Sequence, residues 1–312
     1  MTDAASPLGE LAVAGLDKDT ALTIGVFDGV HRGHLYLLDA LRERAADRGL
    51  AVGVITLHPH PALVLDPRAS IAYLTSLEER IRLLRESGVD FALPLTFTPE
   101  VAHLTAAEFA AALLERLRMR FLLIGPDFAL GRGRQGDATT LAEIGRQMVF
   151  EVEPLPPLTE SGLVVSSSAI RAALEAGDID TANDLLGRPF SLHGPVVRGV
   201  ERGRIIGFPT ANLAIGSGLA LPPFGVYVTR AWVDGTGYAS VTNIGRRPTF
   251  DNGERTVEVH IMDFDGDFYG KEVRVDVLKR LRGEVRFDSA EALSEQIRRD
   301  VAAARQYFEA GH

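Results

Sequence analysis

The chain has 312 residues, of which 46% are hydrophobic and 24% charged, a composition typical of globular proteins; the length predicts about two domains. Its 33 basic and 42 acidic residues give a net charge of −9, which argues against a nucleic-acid partner because a polyanion binds net basic surface. The sequence contains no cysteine, which excludes disulfides, thiolate zinc sites and cysteine nucleophiles.

Membrane and export signals are weak throughout the sequence. No run reaches the ~18 apolar residues that a membrane-spanning helix needs. The first ten residues, MTDAASPLGE, lack the basic region and apolar core of a secretory signal. We therefore expect a cytoplasmic protein without a membrane partner. Its apolar content would allow weak self-association.

Strand and helix signals alternate in the first half of the chain. Apolar runs predict strands over residues 22–27, 50–57, 91–97 and 121–124. Apolar residues at spacings of three and four predict a helix over residues 35–45. A second helix is predicted over 76–86, with Ser76 as N-cap and Glu79 completing a capping box. A third is predicted over 105–120, with Thr105 and Glu108 in the same roles. This alternation predicts an α/β domain with a doubly wound parallel sheet, which binds ligands at the carboxyl ends of its strands.

The composition changes near residue 187, where glycine and proline become frequent and helix signals stop. Alternating stretches at 225–233 and 256–261 predict strands, and Asp265-Gly266 predicts a hairpin between 261–264 and 273–278. Residues 289–308 predict one amphipathic helix with Leu293, Ile297, Val301 and Ala304 on a single stripe. We expect a small antiparallel β-barrel with a terminal helix, and domains of residues 1–186 and 187–312.

Residues 25–34, GVFDGVHRGH, occupy the predicted turn between the first strand and the first helix. A helix N-terminus there suits a phosphate, and His31 and His34 can both donate to one anion. Gly33 is expected to leave room for a ligand between the two imidazoles. Three interpretations stay open on these residues alone: two surface histidines, a metal site that needs a third ligand, or a nucleotide site.

This motif resembles the adenylyltransferase half of bacterial bifunctional riboflavin kinase/FAD synthetases, which belong to the HxGH nucleotidyltransferases. The resemblance implies that a phosphate of FMN attacks the α-phosphate of ATP and releases pyrophosphate. It also implies that His31 and His34 stabilise the charge of the transferring and leaving groups. The other candidate binding residues of the motif are Gly25, Phe27, Asp28 and Gly29.

Three further segments match the same family. The run SSSAIR at 166–171 resembles its SSTxIR signature, which makes Ser166, Ser167 and Ser168 phosphate donors and Arg171 a catalytic clamp; the alternative is plain helix capping. The run GPDFALG at 125–131 implies that Asp127 lies near the ribose or adenine of ATP. The run HPHP at 58–61 implies flavin contacts for Pro59, His60 and Pro61, the alternative being turn rigidity.

A second constellation lies between residues 194 and 213. Its candidate phosphate-binding residues are Gly203, Arg204, Gly207 and Pro209, because glycine permits close backbone approach. Thr210 and Asn212 alternate on an extended segment and so point to one side; a hydroxyl and an amide oxygen are hard ligands that suit Mg²⁺. The alternative is a turn-rich barrel edge without a ligand.

This segment closely resembles the PTAN signature of riboflavin kinases, and the match extends through residues 223–227, 243–250, 258–264 and 267–270. The resemblance implies ATP, Mg²⁺ and riboflavin as ligands, Asn243 and Arg247 as binding residues, and Glu258 as general base on the riboflavin 5′-hydroxyl. In the alternating strand, Glu258 projects on the same face as His260. The alternatives are a surface ion pair for Glu258 and structural packing for His260.

Together the two signature sets predict an enzyme that phosphorylates riboflavin in its C-terminal half and adenylylates FMN in its N-terminal half. One rival is an enzyme with a single activity or another phosphate acceptor. The other is a flavin-binding protein without catalysis, which would be expected to lack His31, His34 or Glu258. All three are present.

Overall fold

The computed structural model of the protein describes residues 7–13, 15–160, 162–197, 208–246, 255–264, 266 and 269–311. The chain forms two compact units, residues 1–167 and residues 168–312. The second unit thus takes in about twenty residues that precede the predicted boundary at 186. Within it, the Asn183 side chain accepts from the backbone N–H of Phe190 at 2.7 Å and donates to the carbonyl of Val277 at 2.9 Å.

The first unit is built on the predicted parallel sheet, which has five strands, one more than the sequence signals marked. Its strands are β1 (Thr20–Gly25), β2 (Ala51–His58), β3 (Phe91–Thr96), β4 (Met119–Ile124) and β5 (Glu151–Pro154). Their order is β3-β2-β1-β4-β5, so the chain changes direction across the sheet between β1 and β4. A crevice at the carboxyl ends of two such strands is the usual ligand site of this fold.

Helices cover both faces of the sheet, which confirms the doubly wound architecture. The helices are α1 (Arg32–Arg48), α2 (Pro61–Leu65), α3 (Leu77–Glu86), α4 (Pro99–His103), α5 (Ala106–Leu117) and α6 (Ala138–Met148). Leu22 and Ile24 pack with Phe109 and Leu113 of α5 in one core, whereas Ala21 packs with helix α1 in the other. Alternate residues of β1 therefore bury against opposite layers.

Local capping signals define the helix starts. The hydroxyl of Ser76 accepts from the N–H of Glu79 at 3.1 Å, and Thr105 and Glu108 form the predicted capping box. The predicted extension of that helix to residue 120 is wrong. Arg118 adopts a left-handed conformation with φ 51° and ends α5 at Leu117, so that β4 begins one residue later.

The second unit begins with α7 (Ser167–Ala176), whose first residue closes the first unit, and α8 (Ile179–Leu186). A closed antiparallel barrel follows, as predicted. Its strands are β8 (Phe190–Val197), β9 (Ala211–Leu213), β10 (Gly225–Val233), β11 (Thr236–Arg246), β12 (Arg255–Ile261) and β13 (Glu272–Gly283), in the order β10-β11-β12-β9-β8-β13. The two remaining short strands, β6 (Thr159–Glu160) and β7 (Leu163–Val164), pair with each other in the first unit.

The predicted hairpin at Asp265-Gly266 is wrong. Consecutive strands β12 and β13 are not neighbours, because β9 and β8 lie between them and close the barrel. Strand β12 pairs with β11 and β9, while β13 pairs with β10 and β8. Asp265 itself lies outside the described residues.

The terminal helix α9 (Ala290–Glu309) packs on β10 and β11. Ala304 is fully buried and contributes to a core with Val226, Val228 and Val241. The predicted apolar stripe thus faces the barrel. Among the described residues, no helix is long and apolar enough to cross a membrane.

Candidate active sites

The loop from β1 to α1 has a strained backbone. Phe27 and Val30 adopt positive φ values of 52° and 39°, although neither is glycine, and both side chains are buried. A β-branched residue in this conformation is a true outlier, and such strain persists only where surrounding contacts fix the chain. The loop is therefore held by its neighbours and not by its own preference.

Asp28 supplies much of that support. Its carboxylate is 1% exposed and accepts from the backbone N–H groups of Leu74 at 2.9 Å and Thr75 at 3.3 Å. The fully buried guanidinium of Arg80 lies 3.5 Å away and compensates its charge. The carbonyl oxygen of Asp28 accepts from the hydroxyl of Ser167 at 2.8 Å. The Asp28 side chain, predicted to bind the nucleotide, thus holds the loop in place.

His31 and His34 form a reciprocal cap at the start of α1. The N–H of each residue donates to the Nδ1 atom of the other at 3.3 Å. An accepting Nδ1 carries no proton, so the ring proton of each neutral imidazole lies on Nε2. The cap therefore fixes the tautomer in which both rings can donate from Nε2 to an anion at the helix N-terminus.

The expectation that a ligand fits between the two imidazoles is wrong. The rings are stacked with their centroids 3.6 Å apart and their planes 19° from parallel. Gly33 serves a different purpose, because a Cβ there would lie 2.9 Å from the carbonyl oxygen of Val165 and 3.1 Å from the His31 ring. Glycine lets the stacked pair, α1 and the segment before α7 approach closely.

The predicted serine and arginine residues lie at the start of α7. Ser166 precedes the helix, Ser167 is its first residue and bonds the loop at Asp28, and Ser168 is exposed. Arg171 lies four residues beyond Ser167 on the same helix and belongs to the second unit. Arg32, beside the histidines, pairs with Glu160 of β6.

A cavity of about 510 Å³ opens at the carboxyl ends of the first unit's strands. It is lined by four predicted residues, Gly25, His60, Pro61 and Asp127, and by apolar side chains that sequence reasoning did not single out, among them Leu57, Leu65, Phe97 and Phe128. Gly25 ends β1 and residues 125–131 follow β4, so the cavity lies at the point where the strand order reverses. An apolar cavity with few polar groups suits a flat aromatic ligand.

The segment after β2 forms one wall of this cavity. His60 is the N-cap of α2: its Nδ1 accepts from the N–H of Ala62 at 3.1 Å, and its own N–H donates to the hydroxyl of Tyr73 at 2.6 Å. Pro59, partly buried, lies between His60 and His58. Burial and the charge of Arg80 lower the pKa of His58, with Glu78 acting in the opposite sense.

Three predicted residues of the barrel lie side by side on adjacent strands. Asn243 of β11 is directly opposite Glu258 of β12, and Glu258 is directly opposite Asn212 of β9. Directly opposed residues on one face have Cβ atoms about 5 Å apart. Val257 and Val259 are buried on the other face, as the alternation predicted. Three segments that are separate in the sequence, 15 or more residues apart, thus form one polar row.

A second row, formed by Val241, His260 and the segment with Thr210, lies next to the first. His260 is opposite Val241, and its Nδ1 lies 2.9 Å from the carbonyl oxygen of Pro209, next to Thr210. The ring also meets that of Phe208 edge to face, with centroids 5.5 Å apart. His260 thus packs against the segment that carries Thr210. Gly203, Arg204, Gly207 and Arg247 lie outside the described residues.

Members of both rows, though not Asn212, line a cavity of about 650 Å³ in the second unit. Its polar lining includes four predicted residues, Thr210, Asn243, Glu258 and His260. Its apolar lining includes Leu293, Ile297 and Val301 of α9, which sequence reasoning assigned to the helix stripe but not to a site. Their spacing of four identified the face, but only the packing of α9 shows that it lines a cavity.

No cluster of three or more His, Asp or Glu side chains suited to hold a metal occurs in the described parts of the chain. The donor set at the barrel is of another kind. Thr210 offers a hydroxyl and Asn212 an amide oxygen beside the Glu258 carboxylate. Neutral and anionic oxygen donors of this kind fit a hard divalent cation that keeps most of its waters.

The chain thus combines a doubly wound unit and a barrel unit, each with its own cavity. Family models identify both units as enzymes: one model described as FAD synthetase matches residues 14–169, and one described as riboflavin kinase matches residues 186–308. The bifunctional riboflavin kinase/FMN adenylyltransferase of Escherichia coli K12 is 42% identical over 291 residues, 92% of each chain. The protein of the same name from Bacillus subtilis is 36% identical over 298 residues, 93% of this chain and 92% of its own.

One solved structure is similar to this protein over nearly the whole length of the chain. The crystal structure of a Streptococcus pneumoniae protein described as a macrolide-efflux protein matches with a TM-score of 0.86 and 33% identity, covering 93% of this chain and 95% of its own. The chain belongs to the bifunctional riboflavin kinase/FMN adenylyltransferase family.

Proposed function

We propose that the barrel cavity is the riboflavin kinase site and that the β1–α1 turn with its adjacent cavity is the FMN adenylyltransferase site. The protein converts riboflavin and ATP to FMN in its C-terminal half, and FMN and ATP to FAD and pyrophosphate in its N-terminal half. The observation that carries the assignment is the row Asn212–Glu258–Asn243, which joins three separate sequence signals, and of which Glu258 and Asn243 line the cavity.

In the kinase site, Glu258 is the general base. Its carboxylate accepts the proton of the riboflavin 5′-hydroxyl as that oxygen bonds to the γ-phosphorus of ATP and the bond to ADP breaks. Asn243 orients the alcohol beside it. The phosphate-binding roles of Gly203, Arg204, Gly207, Pro209 and Arg247 are proposed from the family signature.

Thr210 and Asn212 would hold Mg²⁺ through the hydroxyl and amide oxygens. When bound, the ion neutralises charge on the phosphates of ATP. Asn212 is the middle residue of β9, and Thr210 directly precedes this three-residue strand, which the barrel fixes between β12 and β8. One oxygen donor is thereby presented from a strand and the other from the position next to it.

In the adenylyltransferase site, His31 and His34 donate from Nε2 to the oxygens of the transferring phosphoryl group and of the leaving pyrophosphate. A phosphate oxygen of FMN attacks the α-phosphorus of ATP, and the bond to pyrophosphate breaks. Ser166, Ser167, Ser168 and Arg171 bind the phosphates, and Phe27, Asp28 and Gly29 shape the loop. Pro59, His60 and Pro61 contact the flavin, and Asp127 contacts the ribose or adenine of ATP.

The domain assignment and the cellular setting complete the proposal. The sequence signals assign residues 1–186 to the adenylyltransferase domain and residues 187–312 to the kinase domain, although packing groups residues 168–186 with the barrel unit. A net charge of −9, two ATP-dependent reactions and the absence of cysteine fit a cytoplasmic enzyme whose partners are small molecules, with at most weak self-association.

A pair of variants tests the division between the sites. We expect His34→Ala to lower FAD formation from FMN by about 10²-fold or more, because it removes a donor to transition-state charge, while FMN formation stays unchanged. Asn212→Ala should have the reverse effect. Flavins are separated chromatographically after incubation with ATP and Mg²⁺. Loss of both activities in either folded variant would contradict the assignment.

A further inference from the structure

The kinase cavity contains a buried ion pair that the proposed chemistry does not use. Arg282, at the end of β13, and Asp300, on α9, both line the cavity, with side chains 20% and 6% exposed. The guanidinium donates from Nε at 3.0 Å to one carboxylate oxygen and from Nη2 at 2.7 Å to the other. This two-point geometry fixes direction as well as distance.

Further hydrogen bonds complete the pair. The side-chain amide of Gln296, one turn earlier on α9, donates to Asp300 at 2.9 Å. Nη1 of Arg282 donates at 3.0 Å to the carbonyl oxygen of Gly283, where β13 ends. A buried ion pair adds little stability over apolar residues of similar size, so its best-attested use is to specify one arrangement.

The arrangement that this pair specifies is the position of α9. Leu293, Ile297 and Val301 lie at intervals of four on the helix and line the cavity, and Asp300 lies on the adjoining part of the same face. A rotation or axial shift of the helix would break the two-point contact with Arg282 and move all three apolar side chains. The chain between β13 and α9 also lines the cavity, at Glu284, Val285, Arg286 and Phe287.

We propose that the Arg282–Asp300 pair is a positioning device of the kinase site, which sets α9 so that its apolar face forms the binding wall for the flavin ring. The inference rests on the proposed kinase role of this cavity. The pair acts through the helix and not on the reacting atoms, which lie at Glu258. Its loss should therefore affect riboflavin binding more than the chemical step.

The test compares Asp300→Asn with Glu295→Gln. Both exchange a carboxylate for an amide on α9, but Glu295 is exposed and pairs with Arg298 in solvent. With Asp300→Asn we expect KM for riboflavin to rise about tenfold or more, with kcat within about threefold and KM for ATP unchanged. Glu295→Gln should match the parent protein. An unchanged KM for riboflavin in Asp300→Asn would overturn the proposal.

Two more variants separate positioning from simple stabilisation. Arg282→Lys keeps the charge but not the two-point contact, and should raise KM for riboflavin in the same direction. The double variant Arg282→Met/Asp300→Leu removes the buried charges together, so the barrel should stay folded, as followed by the fluorescence of Trp232, the one tryptophan. Its KM for riboflavin should stay raised.

A parent-like KM in the folded double variant would reduce the pair to a packing feature, and failure of all these variants to fold would do the same. The outcome for the kinase assignment is read separately. If Glu258→Gln also leaves FMN formation unchanged, the cavity is not the kinase site; if it abolishes turnover while Asp300→Asn has no effect, only the positioning role fails.

Discussion

The functional interpretation of Glu258 depends on the residues next to it in the barrel. It lies between two amide side chains, Asn243 and Asn212, on the face opposite the buried valines of β12. An isolated carboxylate on an alternating strand could equally be a surface ion pair. Its place in a row with two other predicted residues is what favours a role in catalysis.

Replacing Glu258 with Gln keeps the size of the side chain and removes its basicity. We expect kinase turnover to fall by about 10²-fold or more, because general-base removal typically costs 10²–10⁴-fold. Riboflavin binding, followed by flavin fluorescence, should change little. A loss of only a few-fold would mean that Glu258 orients the hydroxyl without abstracting its proton. Unchanged turnover would remove Glu258 from the site.

His58 gives the first unit a pH-dependent stability. Burial, helped by the charge of Arg80, lowers its pKa in the folded state, so the unfolded chain, with a pKa of about 6.5, takes up the proton first. Stability is therefore lost as the pH falls below about 6.5. We expect the Tm of His58→Asn to fall less steeply than that of the parent between pH 7 and 5, with a constant difference above pH 7.5. Parallel curves throughout would contradict this.

At the scale of elements, helix ends are set by a few local contacts. The caps at Ser76 and Thr105 follow directly from residue type, because a hydroxyl satisfies an N–H that the helix leaves unpaired. The C-terminal ends are less regular. Arg118 and Val149 take the left-handed conformation that glycine usually supplies, and end α5 and α6 with φ values of 51° and 64°.

Val149 allows a test of what the left-handed conformation costs in stability. It is β-branched and 75% exposed, so its replacement relieves backbone strain with little loss of burial. We expect Val149→Gly to stabilise the first unit by about 1 kcal/mol, measured by chemical denaturation. Ala310→Gly is the matched control, because Ala310 ends α9 with φ −75° and should gain nothing. A destabilised Val149→Gly would show that the strain argument fails.

At the scale of the whole molecule, the boundary between the two compact units lies about twenty residues before the position that the change in composition predicts. Helix α8 buries Ile179, Ala182, Leu185 and Leu186, and Asn183 bonds to both ends of the barrel sequence at Phe190 and Val277. The family models leave residues 170–185 between them. Composition changes at residue 187, but packing joins α8 to the barrel.

Two fragments test where the barrel unit begins. We expect residues 168–312 to unfold cooperatively and to be more stable than residues 187–312 by several kcal/mol, roughly the burial of four apolar side chains at about 1–2 kcal/mol each. Denaturation followed by Trp232 fluorescence measures the difference. Equal stability of the two fragments would support the boundary at residue 186 instead.

The sequence by itself determined the features that depend on near neighbours. Alternation placed Glu258 and His260 on one face of a strand, and helix caps followed from Ser76 and Thr105. The motifs at 25–34 and 207–213 implied both activities. These signals are local because side-chain direction and end capping depend on residues a few positions apart.

Only the tertiary structure decided which distant segments meet. The row Asn212–Glu258–Asn243 requires β9 to lie next to β12. Barrel closure sets this strand order, and it is the reason why the hairpin prediction for β12 and β13 was wrong. The stacked histidines, the buried carboxylate of Asp28 and the α9 wall of the kinase cavity likewise arise from packing between elements. Pairing register and packing depend on how the whole core closes, and no window of neighbouring residues contains that information.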